Sequence, residues 1–228
     1  TQSAECPERT EETIMSDKKT YFNSIASKRK KRAISAYYWK EISQYCKYFS
    51  HEDSSVLEVG CGSGDLLATI DGSRKVGIDF SEEYINWAKE KHKGIEFLQM
   101  DANDIQLNEK FDLIIISNLI GFVDDIQNVF EQVKKVSHPN TKVIVQYYNS
   151  LWEPVIKFAE LTGLKKKTPT QNWLNSRDIN NLLFVSGFDV YRNTKRLIFP
   201  LWIPVLSFIL NKYLAKFPIF RFFSLNLY

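Results

Sequence analysis

Ten residues constrain this chain more than any others: Val56-Leu57-Glu58-Val59-Gly60-Cys61-Gly62-Ser63-Gly64-Asp65. A short apolar, β-branched run reads as a strand buried on both faces, and the apolar segment Leu66 to Ile70 that follows reads as a helix. Three glycines between them let a ligand approach the backbone closely, with helix N–H groups pointing at it. The pattern implies a nucleotide-like cofactor. The dinucleotide fingerprint G-x-G-x-x-G/A needs a small residue at its sixth position, which here is Asp65. That disfavours a nicotinamide oxidoreductase. No Gly-Lys-Ser/Thr follows either, so a phosphate-cradling P-loop is excluded.

The rest of the chain repeats the same rhythm. Apolar runs at Val56 to Val59, Lys75 to Phe80, Ile95 to Met100, Phe111 to Ser117 and Thr141 to Tyr148 alternate with helical segments at Leu66 to Ile70, Glu82 to Lys91 and Ile126 to Val136. Between the third and fourth runs lies the short link Ala102 to Lys110. Strands of this kind alternating with helices predict a parallel sheet covered on both faces, a doubly wound α/β fold.

Residues 1–20 are polar and acidic and read as a disordered leader. From Tyr21 to Phe49, apolar residues at three- and four-residue spacing predict an amphipathic helix. Beyond Asn149 the spacing predicts a helix at Trp152 to Leu161, a loop at Lys165 to Gln171 and a helix capped by Ser176 that ends before Gly187. Strands are expected at Asp189 to Phe199 and Phe220 to Tyr228, with the apolar insert Leu201 to Phe217 between them. The domain reading is a leader (1–20) followed by one domain (21–228), with an N-terminal helix and lid (21–50) and a C-terminal cover and insert (150–219).

Up to Glu160 there are 20 basic and 25 acidic residues, net −5; beyond it there are 10 basic and 2 acidic, net +8. The overall +3 is too balanced to announce a nucleic-acid partner. Three cysteines at unrelated spacings fit neither a disulfide framework nor a metal site, and a reducing cytoplasm is the expected home.

With these motifs in order, the sequence resembles the class I S-adenosylmethionine-dependent methyltransferases. The resemblance rests on the Gly loop preceded by Glu58, on Gly77-Ile78-Asp79-Phe80 ending the second strand, on Asp101-Ala102 after the third, and on Phe111-Asp112 opening the fourth. It implies a Rossmann-like methyltransferase fold with a mostly parallel seven-stranded sheet and an antiparallel last strand, and S-adenosylmethionine as cofactor. It further implies that Asp79 accepts from the ribose hydroxyls and that Phe80 covers the adenine. Asp101 and Ala102 would meet the adenine edge, and Glu58, Gly60, Cys61, Gly62 and Gly64 would flank the methionine part. Ser117 and Asn118 end the fourth strand, where the reacting methyl group would lie.

The acceptor side is less specified. Many small-molecule members carry a His shortly after the fourth strand, where this chain reads Leu119-Ile120-Gly121-Phe122-Val123-Asp124. No catalytic residue is therefore named. Asp124 and Asp125 read as caps of the helix from Ile126 in preference to a base. The DNA amino-methyltransferase signature is absent, so a nucleic-acid acceptor is not expected. Tyr148, Asn149, Trp152 and Trp173 are candidates for an acceptor pocket. Tyr21 and Phe22 resemble an N-terminal lid segment. Oxygen is the preferred target atom, ahead of nitrogen or carbon, and a non-catalytic binding or scaffold domain stays open.

The run Leu197 to Asn211 is 15 residues without a charge, short of the roughly 18 to 20 that span a bilayer. Residues 201–217 are read as a peripheral membrane contact or a homodimer contact. The segments around Tyr147 to Pro154 and Gln171 to Leu174 resemble a bacterial subgroup found beside or fused to glycosyltransferases. That implies a small-molecule, glycan or lipid-linked acceptor, an adjoining glycosyltransferase, and a longer parent protein.

Overall fold

A computed structural model describes residues 18, 20–24, 33–163, 168, 171–196 and 226–228. Its centre is a five-stranded parallel sheet in the order β3-β2-β1-β4-β5, formed by β1 (Ser55–Val59), β2 (Arg74–Asp79), β3 (Glu96–Gln99), β4 (Phe111–Ser117) and β5 (Ser137–Tyr148). The chain runs from β1 outward to β3, then returns to the other side of β1 with β4. The junction of β1 and β4 is therefore the switch point, and the crevice beyond its carboxyl ends is where α/β sheets hold ligands.

The strands are apolar on both faces because both faces are covered. Along β4, Ile114 and Ile116 point into one core with Leu57, Val59, Phe130 and Val133, whereas Leu113 and Ile115 point into the other with Val56, Leu67 and Ile85. The first core is roofed by α4 (Ile126–Lys135) and α6 (Ser176–Val185), the second by α1 (Ala33–Lys47), α2 (Asp65–Thr69) and α3 (Glu82–Lys91). Each fully buried Ile or Leu contributes about 1.5–3 kcal/mol by leaving water. The alternation fixes the register of β4, since a one-residue slip would exchange its two sets of side chains.

Past β5, a 3-10 turn (Ser150–Trp152) leads into α5 (Glu153–Leu161). The sheet edge carries two short pairings: β7 (Asn226–Leu227) runs antiparallel to Tyr147–Tyr148, and β6 (Lys195–Arg196) antiparallel to β7.

Several expectations shift. Of the strand expected over Asp189 to Phe199, the described part pairs from Thr194, which exchanges both backbone hydrogen bonds with Tyr228 at 2.9 Å, through β6, while Asp189 to Asn193 is irregular and 197–199 lie outside the described residues. The cap of α6 is Asn175, not Ser176: its side chain accepts from the Arg177 and Asp178 amides while the Asp178 carboxylate accepts from the Asn175 amide, a reciprocal box. β5 begins four residues before Thr141, with a bulge opposite Phe111 to Leu113. Of the helix expected from Tyr21 to Phe49, residues 20–24 and α1 are helical, and residues 25–32 lie outside the described residues. Lys18 and Thr20, within the stretch read as a leader, are helical, and Lys18 is buried. The leader reading otherwise falls on 1–17 and 19, and the apolar insert on 201–217; both lie outside the described residues.

Candidate active site

A cavity of about 330 Å³ opens over the carboxyl ends of β1, β2 and β4, with Lys18 and Phe22 of the N-terminal segment among its lining. Its floor is built by the glycine loop. The amides of Gly60 and Cys61 both donate to the Ile78 carbonyl, at 2.8 and 2.9 Å, folding the loop back onto the end of β2.

Asp79, at the tip of β2, ties the loop down from the other side. Its Oδ2 accepts from the Gly62 amide at 2.8 Å and its Oδ1 from the Ser81 amide at 2.9 Å. Each oxygen is left with further acceptor capacity on a cavity it lines. Burial pushes its carboxyl above the usual range, and the two amides pull it partly back. Asp79 does not cap the following helix; the Ser81 hydroxyl does, accepting from the Tyr84 amide.

Glu58 is buried and accepts from the Leu67 amide at 3.1 Å, which locks β1 to the first turn of α2. Burial drives its carboxyl well above the ordinary value, and the nearby Asp79 and Asp65 carboxylates add to that against the pull of the Leu67 amide. The Cys61 thiol is raised as well, first by burial and then by Glu58 and Asp79, which suits an inert filler. Asp65 lines the cavity at its exposed side. Partial burial raises it, but hydrogen bonds from Lys91 and His92 outweigh that and hold it below the usual carboxylate range.

The cavity gathers Glu58, Gly60, Cys61, Gly62 and Asp79 from the first two strand ends. Phe80, Asp101 and Ala102 line it beyond β2 and β3, and Ser117, Asn118 and Tyr148 beyond β4 and β5. Asn118 has a positive φ of 55°, so β4 ends in a sharp reversal. Asp101 Oδ1 also closes a turn, accepting from the Asn103 amide at 2.8 Å.

Four expected residues lie elsewhere. Gly64 does not line the cavity: a Cβ there would sit 2.5 Å from the Phe97 ring, so the glycine serves the packing of α2 on β3. The Asn149 side chain accepts from the Leu151 amide and starts the 3-10 turn. Trp152 packs on the second core. Trp173 lines a much smaller pocket that adjoins the cavity, sharing Asn118, Tyr148 and Gln171 with it.

Residues not expected from sequence also line the cavity: Lys18, Trp39, Tyr84, Met100, Phe122 and Gln171. The N-terminal contribution had one legible signal, the Tyr21-Phe22 pair. Phe22 meets the ring edges of Phe80 and Phe122 at centroid distances of 5.8 and 5.1 Å, while Asn23 accepts from the Ser81 hydroxyl at 2.7 Å. Tyr21 is held protonated, its hydroxyl pushed up to about 12 by burial and by Glu160 and Tyr84. The two aspartates after β4 divide their work. Asp125 caps α4 by accepting from the Asn128 amide at 2.8 Å, whereas Asp124 lines the cavity and pairs with Lys18 at 2.5 Å. Among the described residues, no group of three or more His, Cys, Asp or Glu is placed to hold a metal.

The arrangement is an acid-lined, partly aromatic cavity with a backbone-rich floor. The model of a methyltransferase domain family matches residues 50–190, more than half of the chain. A ubiquinone biosynthesis O-methyltransferase of Bradyrhizobium diazoefficiens is 26% identical over 104 residues, 43% of this chain and 41% of the relative. A demethylmenaquinone methyltransferase of Bacillus cereus is 26% identical over 141 residues, 57% of each chain. The chain thus spans only about two fifths to three fifths of the length of these relatives. Magnesium protoporphyrin IX methyltransferase from Synechocystis, solved with S-adenosylhomocysteine bound, superposes with a TM-score of 0.62 at 16% identity, covering 80% of this chain and 92% of that one.

Proposed function

The chain belongs to the family of S-adenosylmethionine-dependent methyltransferase domains, and from that premise we propose that it methylates an oxygen of a small, sugar or lipid-linked acceptor. The observation that carries the placement of the cofactor is the Asp79–Gly62 junction at the switch point. A carboxylate with spare acceptor capacity on both oxygens stands over a glycine beside which no atom lies within 4 Å of a would-be Cβ. The residues fit the group: acceptors for a ribose at Asp79, a ring wall at Phe80, and a floor free of side chains at Gly62.

S-adenosylmethionine, when bound, supplies a methyl group on a positively charged sulfur. The protein's own work is placement and exclusion of water. Asp79 orients the sugar, Phe22 and Phe80 cover one rim, and Ser117, whose hydroxyl donates to Gln146 Oε1 at 2.9 Å, holds the end of β4 rigid beneath the acceptor side. Tyr148 and Phe122 offer ring surface to an acceptor. The quinone and porphyrin methyltransferases among its relatives support a ring-bearing or lipid-linked acceptor.

The same reading extends to the seven-stranded family sheet, supported by the two-residue pairings of β6 and β7, and to a cytoplasmic location with an adjoining glycosyltransferase. Among the described residues no helix is long and apolar enough to cross a membrane; a peripheral or dimer contact through residues 201–217 is part of the proposal.

A thermal-shift comparison tests it. S-adenosylmethionine or S-adenosylhomocysteine at 100 times its dissociation constant is expected to stabilise the protein by about 2.7 kcal/mol, a rise of roughly 5–10 °C, and NADH by nothing. No shift with either adenosyl ligand would sink the reading.

A further inference from the structure

We propose that Gln171 sets the acceptor specificity: its carboxamide takes a ring hydroxyl and the oxygen on the adjacent carbon as a pair, Oε1 accepting from the hydroxyl and Nε2 donating to its neighbour. The inference rests on the methyltransferase reading above and deepens it by naming an acceptor class, a ring with oxygens on two adjacent carbons.

Position comes first. Asn118, Tyr148 and Gln171 line both the cavity and the small pocket that adjoins it. Asn118 follows β4 and Tyr148 ends β5, so this seam lies on the acceptor side, not over the β1 and β2 ends that carry Gly62 and Asp79. Gln171 is tethered there by its neighbour. The Asn172 amide donates to the Gly121 carbonyl at 2.8 Å, and Asn172 Nδ2 donates to the Val123 carbonyl at 2.6 Å. The Gln171 side chain then lies across Gly121, its Nε2 3.3 Å from where a Cβ would stand. A larger residue at 121 would push the carboxamide aside.

Chemistry comes second. The loop beneath, Leu119 to Val123, is apolar throughout, so it offers a ring surface but no polar side chain. Asn172 does the tethering, while the Gln171 carboxamide bonds to no described residue. A carboxamide carries an acceptor and a donor side by side and takes up no proton, so it orients an acceptor without ionising it. A site that hydrogen-bonds a ligand oxygen also discriminates strongly against the analogue that lacks it.

The test is calorimetric and uses two soluble probes, 3,4-dihydroxybenzoate and 4-hydroxybenzoate, which differ by the one adjacent hydroxyl. Each is titrated into the full chain saturated with S-adenosylhomocysteine. Wild type is expected to prefer the dihydroxy probe by about 5- to 10-fold, the scale of one hydrogen bond. Gln171→Met, which keeps the length but not the bonds, should cut that preference below about twofold. Gly121→Ala, which crowds the carboxamide without removing it, should give an intermediate value. Affinity for S-adenosylhomocysteine should stay within about twofold in both variants. A wild type that binds neither probe or both alike, or a preference that survives Gln171→Met, overturns the proposal and leaves the cofactor reading standing. So does a tenfold loss of S-adenosylhomocysteine in both variants, which would assign the residue to the cofactor side. A wild type that binds no S-adenosylhomocysteine overturns both.

Discussion

The Asp79 carboxylate accepts the Gly62 amide at 2.8 Å, so the tip of β2 and the loop after β1 are one unit rather than two neighbours. A ligand gripped by that carboxylate is at once registered against the loop.

Replacing Asp79 tests the unit. Asp79→Ala is expected to weaken S-adenosylhomocysteine by about 10- to 100-fold, since bonds to charged acceptors contribute about 1.5–3 kcal/mol. It should also loosen the loop, read as faster hydrogen exchange at Gly62 and Ser81. Asp79→Asn, which still offers an acceptor oxygen, should show a smaller loss of affinity. Unchanged affinity in both variants would place the ribose elsewhere.

Two glycines of the loop should fail in different ways. In Gly64→Ala the new Cβ meets Phe97 at 2.5 Å and the backbone holds a φ of +70°, so the cost is expected in stability, about 2–4 kcal/mol. Gly62→Ala has open space around its Cβ and carries only the strain of its φ of +51°, about 1–2 kcal/mol; its main loss should be ligand affinity. Chemical denaturation and calorimetry on the two variants separate these costs.

Glu58 gives a pH dependence with a definite sign. Burial raises its folded-state value above 4.5, so as pH climbs from there toward the raised value the unfolded chain releases a proton that the folded chain keeps. The unfolded state then binds fewer protons, and stability falls over that window. Glu58→Gln removes the titration while keeping an acceptor for the Leu67 amide. The melting temperature of the variant relative to wild type should therefore rise between pH 4 and pH 7; a flat difference curve would contradict the burial of that carboxyl.

Asp125 and Asp124 should separate cleanly. Asp125→Ala removes the cap of α4 and is expected to cost about 1 kcal/mol, measured by denaturation, with S-adenosylhomocysteine affinity unchanged. An affinity loss of tenfold or more would mean that the cap also shapes the cavity.

The parts of the fold legible in the sequence are those where one local rule decides the outcome. The five parallel strands followed from apolar runs, and the loop followed from three glycines after a strand. What was not legible depends on distant contacts. Nothing local marks Lys18 as a cavity residue, because its ion-pair partner is Asp124, over one hundred positions away. Asn149 and Trp173 look like pocket residues by type, but the Asn149 side chain accepts from the Leu151 amide and Trp173 lines the small pocket that adjoins the cavity. Asn175 was passed over for Ser176 because both can cap; only the reciprocal bond with Asp178 decides between them.

The Phe97 ring fills the space left by the missing side chains of Gly64 and Gly77, 2.5 and 2.8 Å from where their Cβ atoms would be. A single aromatic residue on β3 thus presses on a glycine of the loop and on a glycine of β2. A smaller residue at 97 would relieve both ring contacts, yet Gly64 would still be held by its φ of +70° and Gly77 by Cys61 Sγ, 2.9 Å from where its Cβ would be.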